Sequence, residues 1–282
     1  MFNKKVIVIC GYARGGTNIV WNLMQSHPNI CSPVHETGKL FKKSFSLKLC
    51  HIMPFSIIGE KKLIDRALFN FKLSNLEHPD NKFLTEEKIY TKDEIASTSL
   101  CLKSVNHQID YTETLLKAYP DLYLIGLTRN GYALADGLIR RGKTAQEAGK
   151  LYTIIAEKLK ILSEKVSNYK LIKFEDALED PFSMSKELFD FVDEEPNILK
   201  NIRLKSKKLM RNDGKHRVGF GDEHRKYWFN KKSIEQILDP EINKKQLSNL
   251  NPKIIEAFYE ESGSTLEYFG YKKMDPFSFE FK

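Results

Sequence analysis

The chain's 282 residues suffice for one large domain or two, and its 41% hydrophobic and 11% aromatic content is that of an ordinary globular protein. No apolar run approaches the ~20 residues of a membrane helix, and the apolar segment after Met1–Lys5, about six residues long, is too short for a signal-peptide core. A net charge of +8, from 45 Lys and Arg against 37 Asp and Glu, favours an anionic partner: nucleic acid, acidic lipid or a phosphorylated small molecule.

Strands are expected at 5–10, 100–105, 122–127 and 169–174, with helices at 16–25, 132–141, 145–166 and 181–191. In the first helix Ile19, Val20 and Leu23 fall at helical spacing, and Pro181 suits the first turn of the last one. This alternation predicts an α/β fold with a parallel sheet and helices on both faces. Residues 39–99 break the alternation, mixing basic and aromatic residues with Pro54 and Pro79. They read as a largely helical insertion, an element that often lies over the substrate in α/β enzymes. Cys10, Cys31, Cys50 and Cys101 have no Cys-x-x-Cys spacing, so they read as buried free thiols in a reducing, cytoplasmic setting.

The first strand runs into "VIVICGYARGGTN", a strand, a glycine turn and a helix start in the order that grips an oxyanion. Gly11, Gly15 and Gly16 free the backbone, Thr17 and Asn18 offer donors in the first helical turn, and Arg14 supplies a fixed charge. Gly11 and Gly16 have the spacing of the ATP-binding phosphate loop, Gly-x-x-x-x-Gly-Lys-Ser/Thr, but Thr17 stands where its lysine belongs. Nothing obvious then reaches β- and γ-phosphates.

The longer stretch "GYARGGTNIVWNLMQSHPNICSPVHE" resembles the 5′-phosphosulfate loop of the sulfotransferase family, a Gly-x-x-(Lys/Arg)-(Ser/Gly)-Gly-Thr turn, a helix, then His-Pro and an acidic residue. The resemblance implies a P-loop-like three-layer fold with a central, mostly parallel sheet flanked by helices. It implies 3′-phosphoadenosine 5′-phosphosulfate as co-substrate, with no metal. Arg14 would neutralise the leaving phosphate and Thr17 would hydrogen-bond it. The segment "YPDLYLIGLTRNGYALADGLIRRG" is similar to the family's second signature and puts Arg129 on the arginine that holds the 3′-phosphate. Gly137 stands where that signature has serine, with Asp136 beside it and Arg140 and Arg141 following. "NYKLIKFEDALEDPFSMSKELFDFV" resembles a third family segment, in which Glu175 and Asp176 read as structural or capping groups. "GKHRVGFGDEHRKYWF" takes the place of the basic loop over the nucleotide, with Arg217 and Arg225 as its candidates. The resemblance spans nearly the whole chain, taken as one domain, 1–282, with 39–99 as its insertion.

Sulfonyl transfer needs an acceptor oxygen in line, donors for the moving charge and a base. Three groups compete for the base. Glu36, nine residues after His27, matches the glutamate of the family's glycosaminoglycan branch; His35 adjoins it; His107 follows the strand that carries Lys103. Lys103 matches a lysine that assists the base in members acting on small hydroxyl compounds. The expected acceptor is a hydroxyl or amine of a small molecule, carbohydrate or lipid. A kinase using ATP and magnesium is the alternative within P-loop chemistry, and a nucleotide-binding protein without turnover is another. The basic run 203–217 also suits nucleic acid, but it has no aromatic residue to stack on bases. A solvated basic helix or loop explains it more simply, and nucleic acid is not the expected partner.

Overall fold

A computed structural model describes residues 5–53, 57–74, 91–206, 208–210, 216–223 and 225–275. Strands β1 (Val6–Gly11), β2 (Ile30–Cys31), β3 (Ser99–Val105), β4 (Tyr123–Thr128) and β5 (Asn168–Lys173) form one parallel sheet in the order β2-β3-β1-β4-β5. Helices α1 (Thr17–Met24), α2 (Thr37–Lys43), α3 (Phe45–Ile52), α4 (Ile57–Ser74) and α5 (Lys92–Ser97) precede β3, and α6 (Tyr111–Ala118) precedes β4. Helices α7 (Gly131–Ile139) and α8 (Ala145–Lys165) precede β5. After β5 come α9 (Phe174–Glu179), α10 (Pro181–Phe191), α11 (Lys231–Ile234), α12 (Ile242–Leu247) and α13 (Pro252–Tyr268).

The apolar continuity of β1 follows from burial on both faces. Successive side chains alternate between two cores. Ile7 and Ile9 pack with Val20 and Leu23 of α1 and Leu188 and Phe189 of α10. Val6 and Val8 pack with Leu115 of α6, Tyr152 and Leu159 of α8, and Phe258 and Leu266 of α13. Each such side chain contributes about 1.5–3 kcal/mol on burial. The three-layer α/β architecture expected from the sequence is therefore present, and the expected strands and helices fall close to their predicted positions. The two-residue β2 is too short to announce itself.

The described part of the 39–99 insertion is helical, as α2 to α5, while 54–56 and 75–90, which include Pro54 and Pro79, lie outside the described residues. All four cysteines are free and buried. Among the described residues no helix is long and apolar enough to cross a membrane.

The basic run departs from expectation at its start. Strand β6 (Ile202–Lys205) precedes β7 (Lys208–Met210), β8 (His216–Val218) and β9 (Lys226–Phe229), and pairs antiparallel with β9, as β7 does with β8. Ile202 and Leu204 bury in the core and pull Arg203 in with them. Arg203 N donates to Ser26 Oγ at 2.9 Å and its Nη2 to Asn22 Oδ1 at 3.3 Å. Burial pushes this guanidinium down to about 9. A strand, with its arginine spent on α1, replaces the solvated helix or loop.

The sheet order places the C-terminal ends of β3, β1 and β4 side by side, where the chain crosses from one side of β1 to the other. In open α/β sheets ligands bind at this reversal.

Candidate active site

The phosphate-type loop occupies this reversal. Gly11 closes β1, where a Cβ would meet Leu127 O at 2.8 Å. The turn then folds back, with Gly15 N donating to Tyr12 O at 3.0 Å and the Tyr12 ring stacked on Tyr152 at 4.8 Å. Arg14 sits in the left-handed region at φ 72° and Gly16 at φ 91°. A Cβ on Gly16 would also lie 2.0 Å from Phe174 Cδ2, so conformation and space both demand glycine there. Asn106, itself at φ 53°, accepts from Ala13 N at 2.8 Å and ties the loop to the end of β3.

Ile19 N and Val20 N return to Gly16 O, and α1 begins. The amides of Thr17 and Asn18 fall in its first turn, where no intrahelical acceptor exists, and that turn carries no acidic side chain. The loop therefore offers outward amides, a helix N-terminus and the exposed Arg14. Desolvation, then the charges of Arg141 and Arg140, pull the Arg14 guanidinium below its ordinary value.

Beside the loop lies a cavity of about 460 Å³, lined by Trp21, Glu36, Lys103, His35, His107 and Gln108 among others. Lys103 is 1% exposed, and its Nζ lies 2.7 Å from Glu36 Oε1. The same ammonium donates to Asn18 Oδ1 on α1 and sits 4.7 Å from the Trp21 ring centre. Burial lowers the Lys103 pKa, and Glu36 partly restores it. The second Glu36 oxygen accepts from Gln108 Nε2 at 3.3 Å, while Gln108 Oε1 accepts from Gly38 N at 3.0 Å. Both carboxylate oxygens are thus oriented from β3 and the turn after it. His35 Nε2 lies 3.0 Å from Lys43 Nζ, and His107 is exposed at the cavity rim. All three sequence candidates for the base, together with Lys103, line this one space. Among the described residues no cluster of three or more His, Cys, Asp or Glu is arranged to hold a metal.

No protein-family model matches the chain, and no curated protein matches it. Solved structures do. The sulfotransferase domain from the curacin biosynthetic pathway superposes with a TM-score of 0.57 at 14% identity, covering 97% of this chain and 100% of that one. The sulfotransferase domain of a Synechococcus olefin synthase superposes with a TM-score of 0.51 at 14% identity, covering 96% and 97%. The fold is that of the sulfotransferases.

Within this sulfotransferase fold Arg129, at the end of β4, lies beneath the loop and is 6% exposed. Its Nη1 donates to Arg14 O at 2.7 Å, its Nε to Asn243 Oδ1 at 2.9 Å, and its Nη2 to Asn243 Oδ1 and Gln246 Oε1. The guanidinium also stacks 4.6 Å from the Phe174 ring centre, and burial pushes its pKa down to about 10. Glu175 supports this arrangement by accepting from Asn243 Nδ2, Asn130 N and the Tyr271 hydroxyl. Arg129 thus holds the carbonyl of left-handed Arg14, and α12 supplies the amide oxygens around it. Sequence reading missed Asn243 and Gln246 altogether, because an exposed six-residue helix carries no signature.

Asp136 is turned to Arg140 at 2.6 Å and accepts from Asn249 at 3.3 Å, so its charge is paired. Gly137 faces the loop: a Cβ there would lie 3.8 Å from Arg14 Cβ and 3.9 Å from Gln246 Nε2, ordinary contact distances. His27 of the His-Pro pair is a joint rather than a ligand. Its Nε2 reaches Glu195 O at 3.2 Å, and its Nδ1 accepts from Asn29 N at 3.0 Å. Arg225 is exposed and paired with Asp222 at 3.1 Å, and no described contact joins it to the loop. The side chain of Arg217 lies outside the described residues.

Proposed function

We propose that this protein transfers a sulfonate from 3′-phosphoadenosine 5′-phosphosulfate to a hydroxyl or amine held in the cavity beside Glu36. The observation that carries the reading is Lys103, whose one ammonium bonds both Asn18 in the first turn of α1 and Glu36 in the cavity. Donor loop and acceptor space therefore share a cation at the point where negative charge moves. The loop amides and Arg14 hold the phosphosulfate, and Glu36, with His35 and His107 as rivals, takes the acceptor's proton. The acceptor oxygen forms the new bond to sulfur as the bond from sulfur to the phosphate oxygen breaks, leaving adenosine 3′,5′-bisphosphate. Lys103 and Arg14 stabilise the departing charge, so electrostatic preorganisation does most of the work. A 3′-phosphate reaches Arg129 by taking the place of the Asn243 and Gln246 amide oxygens, with Arg217 and Arg225 as further candidates to close over the nucleotide. An ATP-dependent kinase is the weaker reading, because Thr17 occupies the lysine position of the ATP-binding loop.

Adenosine 3′,5′-bisphosphate without magnesium should raise the unfolding temperature saturably, by the equivalent of about 2.7 kcal/mol at a hundredfold excess over Kd. Stabilisation by magnesium-ATP and none by this nucleotide would overturn the reading. The space at Gly137 offers a second check. Gly137→Ser replaces a helix-interior glycine, worth roughly 0.5 kcal/mol, and sets a hydroxyl between Arg14 and Gln246. The expected result is a slightly higher unfolding temperature and several-fold tighter binding of adenosine 3′,5′-bisphosphate in calorimetry. Weaker binding would remove Gly137 from the nucleotide site.

A further inference from the structure

Helix α2 leaves Glu36 directly, and its register decides what faces the cavity. Leu40 and Phe41 are buried in the core, which turns Gly38, Lys39 and Lys42 toward the cavity lined by Glu36. Lys39 and Lys42 are three residues apart, on one side of the helix. Both are exposed, and neither side chain has a described hydrogen bond or ion pair. Among the described residues lining this cavity Glu36 is the only carboxylate, and Lys103 already matches it. The described lining is thus left with two ammonium groups beyond that pair, those of Lys39 and Lys42, while Trp21 and Val34 add apolar wall.

We propose that the acceptor is a hydroxyl compound that itself carries an anionic group, a carboxylate, phosphate or sulfate, held by Lys39 and Lys42. This deepens the sulfotransferase reading and rests on it for the word acceptor. At 1.5 Å rise per residue the two lysines stand about 4.5 and 9 Å along the helix from Glu36, so the anion belongs roughly one to two turns from the reacting hydroxyl. Bringing an anionic acceptor against an anionic donor incurs like-charge repulsion, and two lysines on the acceptor side offset it. A neutral acceptor would draw nothing from them.

The test is calorimetric titration of the full chain, without nucleotide, using matched pairs: 4-hydroxyphenylacetate against 4-hydroxyphenethyl alcohol, and methyl glucuronide against methyl glucoside. The anionic member of at least one pair is expected to bind at least tenfold more tightly than its neutral counterpart. In Lys39→Gln/Lys42→Gln that advantage should fall below threefold. The proposal is overturned if no anionic probe outbinds its counterpart, or if the advantage survives in the double variant. Binding is read without transfer, so the two readings fail separately. An anion bound through Lys39 and Lys42 but never sulfonated counts against the transferase, and equal transfer to charged and neutral acceptors counts against the anion.

Discussion

Replacing Arg14 by alanine should lower sulfonate transfer by about 10²–10³-fold, the cost of removing one preorganised donor to developing charge. Binding of adenosine 3′,5′-bisphosphate should weaken with it, because Arg14 is the exposed cation at the loop. The fold should survive, since the side chain is exposed and the carbonyl that Arg129 holds is retained. Arg14→Gly separates backbone from side chain. The left-handed φ of 72° costs a non-glycine residue about 1 kcal/mol, which glycine escapes. The glycine variant is therefore expected to unfold at a higher temperature than the alanine variant and yet be as inactive. Wild-type turnover in either one, measured with labelled donor, would sink the assignment of Arg14.

Glu36→Gln should lower transfer by about 10²–10⁴-fold if Glu36 is the base, and it should also destabilise the protein in a pH-dependent way. Lys103 is buried, and Glu36 is the carboxylate that raises its pKa against desolvation. A depressed lysine binds fewer protons in the folded state than in the unfolded state, so stability rises with pH between the folded pKa and the ordinary value near about 10.4. Removing Glu36 lowers the folded pKa further and widens that interval. The deficit of the variant against wild type should thus be greatest near neutrality and close as pH approaches 10. Adding Lys103→Met to Glu36→Gln removes the unpaired cation and should recover stability without recovering turnover. Denaturation curves at several pH values check this, and a deficit that does not change with pH would contradict the pairing. Near-normal transfer by Glu36→Gln would pass the role of base to His35 or His107.

Much of this was readable in the chain because it rests on local backbone demands. Strand β1, the glycine turn and α1 follow from a continuous apolar run, three glycines and helical apolar spacing, and they lie within a residue or two of expectation. Arg14, Thr17 and Asn18 came with them. The grouping of Glu36, His35, Lys103 and His107 was legible only as a set of rivals, since residues some seventy positions apart meet through sheet order. The roles of Asn106, Gln108 and Trp21 depend on where β3 ends relative to β1, a register no local pattern states.

The sequence by itself determined the glycine loop between β1 and α1, the α/β layering and the identity of the cations beside that loop, because these follow from short-range sterics and from burial on a two-residue or helical period. The tertiary structure alone decided which charges are spent. It paired Lys103 with Glu36, Asp136 with Arg140, and Arg129 with the Arg14 carbonyl and α12, and it left Lys39 and Lys42 facing the cavity. The physical reason is that a charge's partner is set by through-space distance and burial, and both arise only once distant segments pack.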